Sequence, residues 1–214
     1  MATSASGVPG SFSGRIGNTV YYQLNGKWVA RTITKSNKPL SPATLAANQR
    51  ISVTSRAMKI MKAFIDVGFK ESGIIKRDNA YNAAMSYNVK NAVQGAYPDI
   101  SLNSALVRVT EGDLMPALSP TVQQVPDGWQ FGWFADPAAP WPSYTDQVML
   151  LAVFPTLGKI AYQLYGPERS VGTALLNLSA PMQSEYMETY ISFISADRSK
   201  TANSVYTGSF NPII

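Results

Sequence analysis

The spacing of apolar residues changes near Ser101, and this change limits the fold class of the chain more than any other feature. Along residues 43–67, apolar side chains recur at a period close to 3.6. After Ser101, short runs of alternating or β-rich composition are separated by turn clusters. Helices followed by many strands predict an α+β fold, in which the C-terminal part is a fibronectin III/immunoglobulin-like β-sandwich.

Residues 18–32, NTVYYQLNGKWVART, predict a β-hairpin. Asn25-Gly26 suits a type I′ turn, because both central residues of that turn need positive φ. Tyr21, Tyr22 and Trp28 favour cross-strand pairing, yet an isolated two-stranded hairpin is marginal in water. We therefore expect this hairpin to pack on the helices, on the C-terminal sheet or on another subunit.

Two helices are predicted between the hairpin and the sandwich. The first begins at Pro42 after a Ser41 N-cap and runs to about Val67, and the second runs from near Asp78 to a stop at Gly95. The predicted organisation is a flexible Gly- and Ser-rich arm at residues 1–17, a hairpin plus helical region at 18–103, and a fibronectin-like β-sandwich at 104–214.

The 214 residues include no His and no Cys. Disulfides, thiolate catalysis and Cys-ligated metals are thereby excluded, and the commonest general base is missing. We expect neither an enzyme nor a bound cofactor. Carboxylate chemistry stays open, but the closest acidic pairs lack the motif of a glycosidase dyad or a calcium loop. We expect these pairs to be surface carboxylates: Glu111 with Asp113, Asp136 with Asp146, and Glu185 with Glu188.

Charge is distributed unevenly along the chain. Residues 1–103 contain thirteen basic and four acidic residues, a net charge of +9, whereas the remainder contains five basic and nine acidic residues, a net charge of −4. This asymmetry predicts a basic face that meets an anionic partner or the acidic half of a neighbouring copy. The first helix contributes basic residues that either contact an anionic surface or form a solvated face: Arg50, Arg56, Lys59 and Lys62. Nucleic acid is not the expected partner, because neither half shows a nucleic-acid-binding signature.

Aromatic residues are concentrated between residues 129 and 144. Trp129, Phe131 and Trp133 alternate along one predicted strand, which places them in the core of a sandwich. Trp141 lies in the segment PAAPWPSY and is the better candidate for an exposed contact. Such a contact supports an alternative function, a carbohydrate- or cell-surface-binding module.

Several stretches resemble an uncharacterised family of unknown function that is widespread in Bacteroidota. They are GSFSGRIGNTVYYQLNGKWVART, SPATLAANQR, GFK, YNAAMSYNVKNAVQGAYPDI and NSVYTG. The resemblance implies a Ser/Gly-rich opening, a hairpin, a helix with a Gln-Arg pair and a C-terminal β-sandwich, and it implies no catalytic residues. The order of Arg31, Thr44 and Gln49-Arg50 also resembles the openings of phage-associated proteins.

These observations favour a non-enzymatic structural or assembly protein, one that self-associates or binds a scaffold in a phage-like particle. The candidate interaction residues are Tyr21, Tyr22, Trp28, Arg31, Arg50, Arg56, Lys59, Lys62 and Trp141. No apolar run approaches the roughly 20 residues that cross a bilayer, so no membrane span is expected. The opening has no signal-peptide pattern, so we expect synthesis in the cytoplasm and a place in a virion or particle.

Overall fold

The computed structural model describes residues 3–4, 12–24, 26–33, 39–138 and 142–211. The chain divides into two compact units, Met1–Ser41 and Pro42–Ile214. The boundary predicted between residues 103 and 104 falls inside the second unit, because the helices and strands on its two sides share a core, as shown below.

The first unit is one antiparallel sheet with the strand order β1-β2-β3-β4. Its strands are β1 (Thr3–Ser4), β2 (Phe12–Ile16), β3 (Thr19–Leu24) and β4 (Lys27–Thr32). Strands β3 and β4 form the predicted hairpin, with Leu24 opposite Lys27 at the turn. Gly26 has a φ of +80°, as the predicted turn requires, while Asn25 lies outside the described residues.

Part of the predicted flexible arm at residues 1–17 belongs to this sheet. Strand β2 pairs with β3, and β1 pairs with β2. The edge of β3 offers unpaired N–H and C=O groups, which are a template for a further strand even when its sequence is rich in Gly and Ser. Gly17, with a φ of +59°, permits the turn between β2 and β3. The hairpin therefore forms one side of a larger sheet, in which β3 is an inner strand and β4 is an edge strand.

The helical part of the second unit is more divided than the two predicted helices. It comprises α1 (Pro42–Ile60), α2 (Lys62–Gly68), α3 (Lys70–Ile75) and α4 (Ala80–Asn91). The first predicted helix breaks at Met61, and α2 ends at Gly68 against the chain near Thr110. A Cβ on Gly68 would lie 2.4 Å from the Thr110 methyl group, so this close approach requires glycine.

The remaining elements are mostly strands. They are β5 (Val93–Gln94), β6 (Ser101–Leu102), β7 (Thr121–Val125), β8 (Gly128–Gly132), β9 (Gln147–Phe154), β10 (Lys159–Gln163), β11 (Thr173–Asn177), α5 (Ala180–Gln183), β12 (Met187–Ile194) and β13 (Val205–Phe210). Strands β5 and β6 pair with each other, and the seven strands from β7 onward form two sheets, ordered β11-β8-β7 and β10-β9-β12-β13.

The four-stranded sheet is the central layer of the second unit. On one face, Met149 and Leu151 of β9 share a core with Phe64 and Phe69 from the helical part. On the other face, neighbouring residues of β9 and β12 share a core with the three-stranded sheet: Val148, Leu150, Phe154, Ile191 and Phe193. Strands β9 and β12 are buried along almost their whole length, because the helical part covers one face of the sheet and the three-stranded sheet covers the other.

The α+β class predicted from the sequence is confirmed. Two antiparallel sheets of three and four strands face each other, an arrangement compatible with the predicted fibronectin-like sandwich. Trp129, Phe131 and Trp133 lie in the core between these sheets and are at most 7% exposed, as predicted.

Candidate interaction surface

The N-terminal sheet carries the first group of candidate residues and has two different faces. Side chains alternate between the faces along each strand, and residues opposite each other in the register share a face. Val20 lies opposite Arg31 and Arg15, and Tyr22 lies opposite Val29. The described basic residues of this sheet, Arg15, Lys27 and Arg31, therefore lie on one face, which we call the cationic face.

The opposite face of the N-terminal sheet is uncharged, and we call it the aromatic face. Tyr21 lies opposite Ala30, and Trp28 lies two residues from Ala30 on the same strand, so the two rings occupy diagonal positions. Ile16, opposite Thr19, extends this face toward β2. The aromatic face thus combines large apolar side chains with no ionised group among its described residues.

No side chain in the described part of this sheet is buried. Ile16 is 50% exposed, Leu24 is 54% exposed and Trp28 is 42% exposed, while Tyr21 and Tyr22 are half-buried. A sheet usually needs at least one apolar face covered to be stable. Ile16 and Trp28 lie on the aromatic face and Leu24 on the cationic face, so both faces expose apolar side chains.

The basic candidates of the first predicted helix lie in the second unit. Arg50, Arg56 and Lys59 are exposed on α1, and Lys62 is exposed at the start of α2. Lys62 forms an exposed ion pair with Asp66 at 2.5 Å, a contact that adds little stability in water. Trp141, the remaining candidate, lies outside the described residues.

Two of the predicted surface carboxylates are buried, and that prediction is wrong for them. Asp146 is 2% exposed and forms an ion pair with Arg169, whose side-chain Nη2 lies 3.1 Å from Oδ2 of the carboxylate. Glu188 is 6% exposed. Sequence reasoning missed both because the groups that make burial possible come from distant positions in the chain.

Glu188 belongs to a cluster with three tyrosines, which we call the Glu188 cluster. Tyr206 donates a hydrogen bond from its hydroxyl to Oε2 of Glu188 at 2.6 Å, and Tyr186 donates one to Oε1. Tyr190 packs beside Tyr206, with ring centroids 5.5 Å apart, and donates to the Ser104 carbonyl at 2.8 Å. Tyr186, which directly precedes β12, alternates with Glu188 and Tyr190 of that strand, so the three side chains lie on one side of the sheet. This spacing is a signal that the sequence contains.

The tyrosines of this cluster keep their protons. The hydrogen bond to Glu188, assisted by burial, raises the pKa of Tyr186 to about 12. Burial, assisted by the hydrogen bond to Glu188, raises the pKa of Tyr206 to about 12. Burial also raises the pKa of Tyr190. The hydroxyls of Tyr186 and Tyr206 therefore stay donors to the carboxylate throughout the neutral range.

A cavity of about 280 Å³ adjoins the Glu188 cluster, between α1 and the central sheet. Its polar lining comprises Glu188, Tyr186, Tyr190, Ser104 and Arg56. The rest of the lining is apolar: Val53, Ala57, Ile60, Met61, Leu102, Val107, Val153 and Pro155.

Neither a membrane-spanning helix nor a cluster of metal ligands is present in the described part of the chain. None of its helices has the length and hydropathy of a membrane span. Among the same residues, no three acidic side chains are grouped closely enough to hold a metal ion.

The fold and surface define an α+β protein in which a four-stranded sheet with exposed apolar side chains precedes a helix-and-sheet unit with its own cores. Residues 11–208 match the model of a family of unknown function, DUF6266, and the chain belongs to this family. This match confirms the predicted membership of a family of unknown function. No curated protein matches the chain, and no solved structure matches it.

Proposed function

We propose that the protein is a non-enzymatic structural protein that self-associates through the aromatic face of its N-terminal sheet, as a component of a phage-like particle. The observation that supports this proposal is the exposure of Ile16 and Trp28 on a sheet that has no buried side chain among its described residues. Covering a large apolar side chain completely contributes about 1.5–3 kcal/mol. A partner that covers this face therefore stabilises both the sheet and the assembly.

Charge favours a second copy of the chain as that partner. The first acidic residue of the chain is Asp66, whereas nine basic residues precede it. The second half carries a net charge of −4, and several of its acids are exposed: Asp113, Asp127, Asp136, Glu168 and Asp197. The cationic N-terminal part of one copy is thus complementary to the acidic half of another.

Trp28→Ser should weaken self-association of the full chain at least tenfold. The substitution removes the largest side chain of the aromatic face, and a loss of about 1.4 kcal/mol corresponds to a factor of ten in the dissociation constant. Leu24→Ser compares the two faces, since Leu24 is comparably exposed but lies on the cationic face, where the charges and not the apolar side chains are expected to contribute; its loss should therefore be smaller. Sedimentation equilibrium gives the dissociation constants, and circular dichroism checks the fold of each variant.

Two results would contradict this proposal. The first is a wild-type protein that stays monomeric at concentrations of about 100 μM, which corresponds to binding weaker than roughly 5–6 kcal/mol. The second is an equal loss of association in both variants, because the aromatic face would then have no special role.

Self-association should also weaken as salt is added. Exposed charges that are separated by more than about 10 Å are largely screened at 0.1 M salt. Measuring the dissociation constant from about 0.05 M to about 0.5 M sodium chloride tests the complementarity between the two halves. If ionic strength has no effect, burial of the aromatic face alone drives assembly.

A further inference from the structure

The Glu188 carboxylate is buried without a cationic partner among the described residues. Of the described ion pairs, none includes Glu188, although the residue is only 6% exposed. Buried carboxylates are usually paired with a cation, because removing a charge from water is costly. The hydroxyls of Tyr186 and Tyr206 satisfy hydrogen bonds but supply no positive charge.

The carboxylate can accept further hydrogen bonds. An ionised carboxyl group has about four acceptor positions on its two oxygens. Each Glu188 oxygen receives one tyrosine hydroxyl, so acceptor positions are left on both oxygens. Glu188 contributes to the wall of the adjoining cavity, where these positions can receive donors from a bound molecule.

The rest of the cavity suits an apolar body. Val53, Ala57, Ile60 and Met61 line it from the helical side, and Val153 lines it from the central sheet. Its volume of about 280 Å³ is near the lower end of the range for ligand sites, about 300–1,000 Å³. Tyr186 and Tyr190 also line the cavity, and aromatic rings are side chains that attract an ammonium group.

We propose that this cavity binds a small organic ammonium ion, whose charged group pairs with Glu188 and whose apolar body fills the space between α1 and the central sheet. The ammonium group supplies the charge that the buried carboxylate lacks in the protein alone. Arg56 also lines the cavity, but its side chain is exposed and is in none of the described ion pairs, so solvent weakens the repulsion between its charge and the bound ammonium group. This assignment is independent of self-association, because all its residues lie in the second unit.

Phenethylamine and 2-phenylethanol are matched probes for this assignment. They have similar size and shape, but only the amine carries a positive charge at neutral pH. Isothermal titration calorimetry on the full-length wild-type protein should show at least tenfold tighter binding of the amine than of the alcohol. Comparable affinities for the two probes, or no binding of the amine at millimolar concentrations, would overturn the assignment.

Two variants locate the binding on the cavity. Glu188→Gln keeps the shape of the side chain and removes its charge, so it should abolish the preference for the amine while leaving alcohol binding unchanged. Ala57→Leu adds bulk to the cavity wall and should weaken binding of both probes. A preference for the amine that persists in folded Glu188→Gln protein would place the binding elsewhere and overturn the assignment. The wild-type comparison of the two probes decides the question if either variant fails to fold.

Discussion

Arg169→Leu is expected to lower the free energy of unfolding by about 3–5 kcal/mol, because it leaves the buried Asp146 carboxylate without its cation. Arg169 is 6% exposed and Asp146 is 2% exposed. Besides its ion pair with Asp146, Arg169 donates from Nη2 to the Met115 carbonyl at 2.7 Å, and its guanidinium lies 3.7 Å from the ring centroid of Phe193. Urea denaturation of the variant and the wild type measures the difference.

The loss of stability in Arg169→Leu is expected to be large because the variant keeps the buried, negatively charged Asp146. Burial raises the pKa of Asp146, although its pairing with Arg169 acts in the opposite direction, and burial lowers the pKa of Arg169. Both charged forms are thus penalised by burial even within the pair. The double variant Asp146→Leu with Arg169→Leu should therefore be more stable than Arg169→Leu alone. If the double variant loses as much stability as Arg169→Leu and Asp146→Leu together, the unpaired charge of Asp146 is not the cause of the loss in Arg169→Leu.

The raised pKa of Asp146 also predicts how the loss of stability in Arg169→Leu, called the deficit below, depends on pH. An acid whose pKa is raised in the folded state binds protons more tightly there than in the unfolded chain. Its contribution to stability is present below the unfolded pKa, about 3.9 for Asp, and is lost as pH rises through the folded pKa. Without Arg169 the opposing attraction disappears, so the Asp146 pKa rises further. The deficit should therefore be smaller at about pH 4 than at pH 7.

The parts of the fold that follow from local patterns could be predicted from the sequence. The hairpin follows from Asn25-Gly26 between two β-rich runs, and the buried positions of Trp129, Phe131 and Trp133 follow from their alternation. The α+β class follows from the change in apolar period near Ser101. Each of these signals lies within a few residues of the chain, and the structure confirms each of them.

The features that depend on distant contacts could not be predicted. The predicted end of the first helix, at about Val67, lies within one residue of the end of α2 at Gly68, but the break at Met61 and the separate helix α3 were not predicted. The close approach of Gly68 to Thr110, some 40 residues further along the chain, was not predicted either. Asp146 and Glu188 are buried because Arg169 and Tyr206 reach them from other elements. The candidate cavity could not be predicted either, because its lining residues come from α1, β9, β12 and the segments between them, which lie far apart in the sequence.

Pairing of β2 with β3 was missed for a different reason. The segment GSFSGRIG has little β-branched or aromatic content, so its composition indicates a loop. Its strand forms because the edge of the hairpin supplies hydrogen-bonding partners, which is a tertiary effect that outweighs local propensity.

Trp133→Ala should lower the free energy of unfolding by about 3–5 kcal/mol, the range for removing a buried Trp or Phe side chain. Trp133 packs edge-on against Phe193, with ring centroids 5.5 Å apart, and its Nε1 donates to the Arg169 carbonyl at 2.8 Å. The substitution therefore leaves a cavity and removes the shorter of two hydrogen bonds to the Arg169 carbonyl, which keeps the one from the Gly172 N–H at 3.4 Å.

Phe134→Ala is the matched control for Trp133→Ala, because Phe134 is the next residue in the chain and is 57% exposed. This variant should stay within about 0.5 kcal/mol of the wild type. Urea denaturation with a common m-value compares the two variants, and equal losses would contradict the placement of Trp133 in the core between the two sheets.

Trp133 and Arg169 both contact Phe193, so the two substitutions are expected to be coupled. The loss of stability in a Trp133→Ala and Arg169→Leu double variant should differ from the sum of the two single losses by more than about 0.5 kcal/mol. Such coupling would show that the ring contacts and the buried ion pair stabilise one packed region of the second unit.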